Sequence, residues 1–404
     1  MTMLEPDPTT IRFQSRPTSA AEILDRARTV APLIRERAEE TERIGQLPQD
    51  VFEMVRDTGV FGMAVKKSWG GPELDAMQQT EVIEAIATGD ASAAWVAMIG
   101  MDTPIYNSYL DETVAKELFT DPDAVTAGAI MPQGRGERVP GGFRVSGQWF
   151  FGSGISHATW VIGGFLVTND GELEANPRTG KPGYWRIYFA PVEQLDVQET
   201  WDTTGLRGSG SKDYRVTDMF VPEEHTFSFA EPRVTGPTAT PDTILRNMAG
   251  VPLGVARAAI DHVRAMAATK VDKNTNQPWA ENYRIQTVIA QAEMDLIAAR
   301  YGVYGSLERQ WQLLEAGVES TPELQVESVL ARVNAFRTAR SIVARLFDLV
   351  ATAAVYKPSP MDRWLRDLNT MCQHVIAQDV VVQSAGAVLL GGTPHMPYSV
   401  GIVD

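Results

Sequence analysis

The stretch WDTTGLRGSGSKDYRVTDMFVPE, residues 201–223, decides the fold of this chain. Gly205, Gly208, Ser209, Gly210 and Ser211 make a tight Gly/Ser loop. The loop feeds a strand on which Tyr214, Val216, Met219 and Val221 recur among polar residues until Pro222 ends it. Alone, such a loop marks only a turn. Its place in mid-chain, with helical periodicity on both sides, gives it meaning.

Upstream, residues 19–120 read as helices. Ser19 can cap the first, where Ile23, Ala27, Val30, Leu33 and Ile34 fall at helical spacing. Pro48 opens a second helix that Gly59 ends, and Pro72 starts a third over 73–88. Asp90 caps the apolar helix 91–100, and Asp111 a short one ending near Thr120. The period then changes. Segments 125–132, 143–151, 160–168, 185–191, 195–200 and 213–221 alternate or run apolar between Gly, Pro and Asn, which predicts a mostly antiparallel β domain. AEPRVTGPTATPDT, residues 230–243, reads as a Pro/Thr linker. From Ile244 the helical period returns over 244–270, with a kink expected at Pro252, and over 281–316, 323–356 and 361–391. Four long helices with short connections predict an up-down four-helix bundle. The expected α+β chain has a disordered arm (1–18), an N-terminal helical domain (19–122), the β domain (123–230), a linker (231–243) and the C-terminal bundle (244–404).

Composition excludes several function classes. The 404 residues are 44% hydrophobic and 22% charged, enough for a substantial core. A net charge of -15 argues against nucleic acid as main partner. No run approaches the ~18 apolar residues of a membrane span, and the first residues lack a signal peptide's apolar core. The lone cysteine, Cys372, allows no internal disulfide and suits a cytoplasmic protein. No His/Cys/carboxylate spacing suits a metal, and no Gly-x-Gly-x-x-Gly follows a strand to hold a nicotinamide cofactor.

Several segments, in order, resemble the acyl-CoA dehydrogenase superfamily. LPQDVFEMVRDTGVFGMAVKKSWGGPELD (47–75) and EVIEAIATGDASAAW (81–95) resemble its opening helices and Gly-Gly turn. GQWFFGSGISHATWVIGG (147–164) resembles the strand along the flavin, 201–223 the central signature, and RWLRDLNT (363–370) the Arg-Asp turn before the catalytic segment. The resemblance spans nearly the whole chain and implies an acyl-CoA dehydrogenase-like fold. Dehydrogenases that remove an α-proton often carry a glutamate soon after that Arg-Asp pair. Here Arg366-Asp367 leads into LNTMCQHVIAQD (368–379), with His374 at the glutamate's position to within a residue. A carboxylate takes the α-proton of a thioester, whereas an imidazole can take a phenol or amine proton or donate to a peroxide oxygen. With SGISHATW (153–160) and SAGAVLLGG (384–392), His374 resembles the flavin-dependent (group D, two-component) monooxygenases. That branch holds the p-hydroxyphenylacetate hydroxylase oxygenase components, dibenzothiophene monooxygenases and 3-HSA hydroxylases.

The resemblance implies site residues and partners. Ser153, by itself a turn serine, matches the hydroxyl that meets the flavin N5/O4 edge, and Gly152 suits close approach to a planar ligand. Met131, Trp160 and Arg207 fall beside the flavin, and Arg284 near its phosphate. His374 and Ser153 are the catalytic pair. Trp95 and Met98 lie where the family lines its substrate cavity, though core packing equally explains them. Asp102 stands where many of these monooxygenases hold substrate with a histidine, and suits a substrate carrying a hydrogen-bond donor. His157 is read as structural, His225 as surface, and His262 and His395 have no partner pattern. The implied activity is oxygenation of a small aromatic or heterocyclic substrate through a flavin C4a-(hydro)peroxide. Reduced flavin (FMN or FAD) and O2 are consumed, a separate NAD(P)H-flavin reductase delivers the flavin, and a homotetramer is expected. DLVATAAVYKPSP (348–360) lacks the Gln and Gly-Gly by which dehydrogenases hold the AMP half of FAD, which favours FMN or loosely held FAD. The alternatives are an FAD-dependent acyl-CoA dehydrogenase, with Glu281 or Glu293 as base, and a non-catalytic binding member of the fold.

Overall fold

The computed structural model describes residues 11–272 and 275–403, in which helices precede and follow a mixed sheet. The first helices are α1 (Ala20–Glu36), α2 (Ala38–Ile44), α3 (Gln49–Asp57), α4 (Ala76–Ala87), α5 (Ala91–Gly100), α6 (Thr103–Tyr106) and α7 (Glu112–Leu118). Ser19, Asp90 and Asp111 cap α1, α5 and α7 through their side-chain oxygens, as the sequence predicts. The third expected helix starts later than Pro72 suggested, because Asp75 and Gln78 close a reciprocal capping box that sets the start of α4. α5 is apolar all round and is accordingly buried all round except at Ile99. Residues 11–18, expected within a disordered arm, instead lie against α1. The Arg26 guanidinium donates to the Ser15 carbonyl at 2.7 Å and sits 4.6 Å over the Phe13 ring. The remainder of that arm, residues 1–10, lies outside the described residues.

The sheet comprises β1 (Thr126–Val139), β2 (Gly142–Gly152), β3 (Trp160–Asn169), β4 (Glu172–Leu173), β5 (Trp185–Pro191), β6 (Asp196–Gln198), β7 (Lys212–Pro222) and β8 (Thr226–Phe227). Its order is β6-β7-β2-β1-β3-β5-β8, with β4 on β3. Every pair is antiparallel except β1 with β3. The β1–β2 ladder stops at Gly134 and Gly147, and β2 continues along β7 alone. The Tyr214 hydroxyl bridges the resulting gap, accepting from the Ala129 N–H at 2.8 Å and donating to the Ile162 carbonyl at 2.5 Å.

The bundle comprises α8 (Gly250–Thr269), α9 (Tyr283–Glu315), α10 (Pro322–Val350), α11 (Met361–Met371) and α12 (Asp379–Leu390). The expected fourth helix is thus two helices. Side chains satisfy the backbone groups freed at the break: Gln378 Nε2 donates to the Cys372 carbonyl at 2.7 Å, and Arg337 Nη2 to the Ala377 carbonyl at 3.0 Å. Pro252 makes no kink, because it sits in the first turn of α8, where its missing N–H has no partner to lose. The linker expected over 231–243 is packed at its end, where Arg246 and Asp242 pair at 2.9 Å, both buried. Cys372 is a core residue whose thiol donates to the Phe336 carbonyl.

The Gly/Ser loop is clamped by α11. Leu206, at φ 50, donates its N–H to Asp367 Oδ1 at 2.7 Å, and Arg366 Nη1 donates to the Thr204 carbonyl at 2.6 Å. A Cβ at Gly205 would collide with the Arg366 carbonyl, so only glycine fits there. Burial, reinforced by the neighbouring Asp90, pushes the Asp367 carboxyl up to about 7. Asp367→Ala leaves the Leu206 N–H buried without an acceptor, and should lower unfolding free energy in denaturant by about 1–3 kcal/mol. Asp367→Asn keeps an acceptor. The raised carboxyl also means that the folded chain holds a proton the unfolded chain releases above about pH 4. The contribution of this carboxyl to stability therefore falls as pH rises from about 4 through 7, and the stability–pH slope of wild type should be more negative than that of Asp367→Asn by that contribution. Identical slopes in both proteins would refute the assignment.

Candidate active site

The gap between β1 and β2 opens into a cavity of about 220 Å³. Ala129, Ile130, Met131, Phe150 and Phe151 line its sheet side. Trp95, Ile99, Asp102 and Tyr106 face it from α5 and α6, Leu245 and Met248 from the approach to α8, and Met396, Tyr398 and Ser399 from the C-terminal turn. His374, Val375 and Ile376 enter through the break between α11 and α12.

Ser153 is placed by a backbone reversal at Phe151, whose φ of 66 is unusual for an aromatic residue. Its Oγ accepts from Trp95 Nε1 at 3.1 Å and lies 2.7 Å from Ser211 Oγ. Ser211 in turn lies 2.7 Å from Ser209 Oγ, which donates to the Leu206 carbonyl at 2.7 Å. The Gly/Ser loop therefore reaches the cavity through a row of buried hydroxyls.

His374 lies edge-on to Trp95, with ring centres 5.6 Å apart. Its Nδ1 accepts from the Ile376 N–H at 3.4 Å. Burial, helped by the positive charge of Arg332, lowers its pKa to about 4. At neutral pH the ring is neutral, and with Nδ1 accepting, its proton sits on Nε2. His374 thus offers the cavity an N–H donor. Asp102 shifts the opposite way: burial raises its carboxyl well above the usual range, and Oδ1 has no hydrogen-bond partner among the described residues. Protonated, it can both donate and accept. Behind the wall, Arg332 donates to the Leu245 carbonyl at 3.3 Å, while its Nε and Nη2 lack partners among the described residues.

The structure brings together Ser153, His374, Trp95, Asp102 and Met131. It leaves the other sequence-derived candidates outside the cavity lining. Met98 is core on α5; Gly152 pairs with Lys212, and Trp160 with Thr126 and Pro191. Arg207 braces its own loop, donating to Asp202 at 3.0 Å and to the Thr203 carbonyl at 2.8 Å, and Arg284 is exposed on the first turn of α9. His157 is structural as expected, stacked 4.3 Å from Phe52 with Nε2 3.0 Å from the Leu47 carbonyl. Sequence reasoning missed Phe150 and Phe151: alternation beside the buried Trp149 would have turned Phe150 away from the core, but no local signal announces the reversal that brings Phe151 to the same cavity. It read Ser209 and Ser211 as turn residues only. Met396, Tyr398 and Arg332 carried no local signal.

The cavity suits a planar flavin ring. Apolar side chains with solvent exposure, Met131, Phe150 and Phe151, lie where β1 and β2 part, and Ser153 stands beside them. Asp102 adds to the same lining a buried Oδ1 that has no partner among the described residues.

The acyl-CoA dehydrogenase N-terminal domain model matches residues 19–114, and the C-terminal domain model residues 247–379. An indole-3-acetate monooxygenase of Pseudomonas putida is 33% identical over 374 residues, covering 90% of this chain and 93% of that protein. The oxygenase subunit HsaA of a flavin-dependent monooxygenase from Rhodococcus jostii RHA1 is 29% identical over 368 residues, covering 86% and 92%. The crystal structure of 3-HSA hydroxylase from Rhodococcus sp. RHA1 superposes with a TM-score of 0.84 at 25% identity, covering 95% of this chain and 98% of that one.

The state of His374 can be read directly. Nitrogen-15 NMR of histidine-labelled protein should show a ring, identified as His374 by its loss in His374→Gln, that is protonated at Nε2 and does not titrate between pH 5.5 and 8. Titration of this ring near pH 6.5 would contradict its burial.

Proposed function

We propose, on the premise that this chain belongs to the acyl-CoA dehydrogenase family and to its flavin-dependent monooxygenase branch, that it is the oxygenase component of a two-component system. Its substrate is a small aromatic or heterocyclic molecule. The observation that carries the reading is His374, a neutral imidazole offering an N–H donor to the cavity where a dehydrogenase would need a carboxylate base. The two glutamates that the sequence offers as a dehydrogenase base are elsewhere. Glu293 is held by Arg257 at 2.8 Å and Arg264 at 3.3 Å, and Glu281 is exposed. Neither lines the cavity.

Reduced flavin, FMN or FAD, supplies when bound the electrons that activate O2. Ser153 would meet the ring at N5, with Met131, Phe150 and Phe151 against its apolar surface. Trp95, Ile99, Tyr106, Leu245 and Met248 keep water from the reacting oxygen. His374 Nε2–H donates to that oxygen. Asp102, whose Oδ1 has no partner among the described residues, meets a polar atom of the substrate. The flavin arrives from a separate NAD(P)H-dependent reductase. Exposed apolar side chains along α9, namely Tyr283, Met294, Ile297 and Tyr301, support self-association, for which a homotetramer is the expected form.

The test is to mix anaerobic protein with reduced FMN or FAD, add O2 and follow hydrogen peroxide release. The protein should slow that release relative to free flavin. His374→Ala should speed it and cut product formation by roughly 10²-fold. Asp102→Ala should raise the KM for substrate more than it lowers kcat. A wild-type protein that leaves flavin oxidation as fast as in free solution would sink the reading.

A further inference from the structure

We propose that Ser209 and Ser211 fix the hydrogen-bonding direction of Ser153, so that the site prefers reduced to oxidised flavin. The proposal rests on the flavin reading above and adds a selectivity that the reading alone does not contain.

A serine hydroxyl has one proton to donate and lone pairs to accept with. Ser209 Oγ lies 2.7 Å from the Leu206 carbonyl, which can only accept, so the Ser209 proton is used there. The 2.7 Å bond between Ser209 and Ser211 must then carry the proton of Ser211. The 2.7 Å bond between Ser211 and Ser153 must carry the proton of Ser153. From the other side Trp95 Nε1–H, a donor only, points at Ser153 from 3.1 Å. Ser153 therefore has no proton left for the cavity and faces it as an acceptor. All three serines are buried, at 7%, 1% and 2% exposure, and Ser209 and Ser211 lie outside the cavity lining, so water does not scramble the row.

Reduced flavin carries a hydrogen at N5, and oxidised flavin carries only a lone pair there. Against an acceptor, the reduced ring makes a bond. The oxidised ring meets lone pair with lone pair, unless all three hydroxyls turn round. Turning takes the Ser209 hydroxyl off the Leu206 carbonyl, although that carbonyl keeps the Ser209 N–H and Trp201 Nε1–H, each at 3.0 Å. The penalty is about one ordinary hydrogen bond, a preference of about fivefold for the reduced form. Such a bias suits a protein that must capture reduced flavin from a partner and release it oxidised.

The test is the pair of dissociation constants for reduced (anaerobic) and oxidised FMN and FAD, measured by titration on wild type, Ser209→Ala and Ser211→Ala. The ratio of oxidised to reduced constants should be about five or more in wild type and fall about fivefold in both variants. That fall is equivalent to a drop of about 20 mV in the potential of the bound two-electron couple. Ser209→Thr keeps the hydroxyl and should restore the wild-type ratio. Ser209 stands two hydroxyls away from the cavity, so a merely structural loss there would weaken both forms together and leave the ratio alone. A ratio unchanged within about twofold in both alanine variants, with both forms still bound, would overturn the proposal and spare the flavin reading. Should Ser209→Ala fail to fold by circular dichroism, Ser211→Ala decides. Wild-type protein that binds neither form would overturn the flavin reading, and this proposal with it.

Discussion

The hydrogen bond from the Leu206 N–H to the Asp367 carboxylate joins the two halves of the site. On one side it fixes the Gly/Ser loop, and through Ser209 and Ser211 it fixes the neighbours of Ser153. On the other it anchors α11, whose end turns His374 into the cavity. Asp90, the carboxylate whose charge acts on Asp367, caps α5 through the Ala93 N–H at 2.9 Å. α5 carries Trp95 toward the cavity and ends next to Asp102. Two buried acids that repel one another thus place most of the polar groups in the cavity. Burial first, and this repulsion second, raise the Asp367 carboxyl, and the Leu206 N–H, Arg363 and Arg366 offset part of the rise.

Burial acts on the cavity residues in one direction, toward neutrality. It lowers His374 to about 4, so the ring is neutral at neutral pH, and it raises the Asp102 carboxyl well above the usual range, toward its protonated form. Uncharged donors in an apolar cavity hold a reacting oxygen without drawing in water. The exception stands behind the wall. Burial brings Arg332 down only to about 10, so it remains a cation, and two of its N–H groups have no partner among the described residues. Arg246 and Asp242 nearby cancel one another. The residual positive field favours negative charge appearing on an oxygen in the cavity, the condition that oxygen transfer creates.

Much of this was legible in the sequence, because much of it follows from period and caps. The strands at 143–151, 160–168 and 185–191 and the capped helix 91–100 are set by alternation and by Asp90, signals that lie within a few residues of what they control. The break at His374 was not legible. The run 361–391 keeps helical spacing throughout, and the groups that end α11 come from Arg337 and Gln378, which no periodicity connects to it. Arg207 and Arg284 matched by position in a pattern. Yet Arg207 is tied to Asp202 and Thr203 within its own loop, and Arg284 faces solvent. The resemblance located the loop and named Arg207 in it, whereas the loop's connection to the cavity runs through Ser209 and Ser211 to Ser153.

The chemistry turns on backbone as much as on side-chain identity. His374 has φ -60 and ψ 139, extended values that a continuing helix would forbid. That conformation lets the Ile376 N–H reach Nδ1 and leaves the proton on Nε2. A glutamate in the same place would accept the same N–H, but as a buried carboxylate near Arg332 it would gain a cationic partner and stay ionised. It would then present the cavity with a base. The imidazole, whose protonated form the same arginine disfavours, presents a donor. One backbone break and one buried arginine therefore give opposite proton chemistry with the two residues: under the proposed function the histidine at 374 serves to hold an oxygen, where a glutamate would serve to take an α-proton.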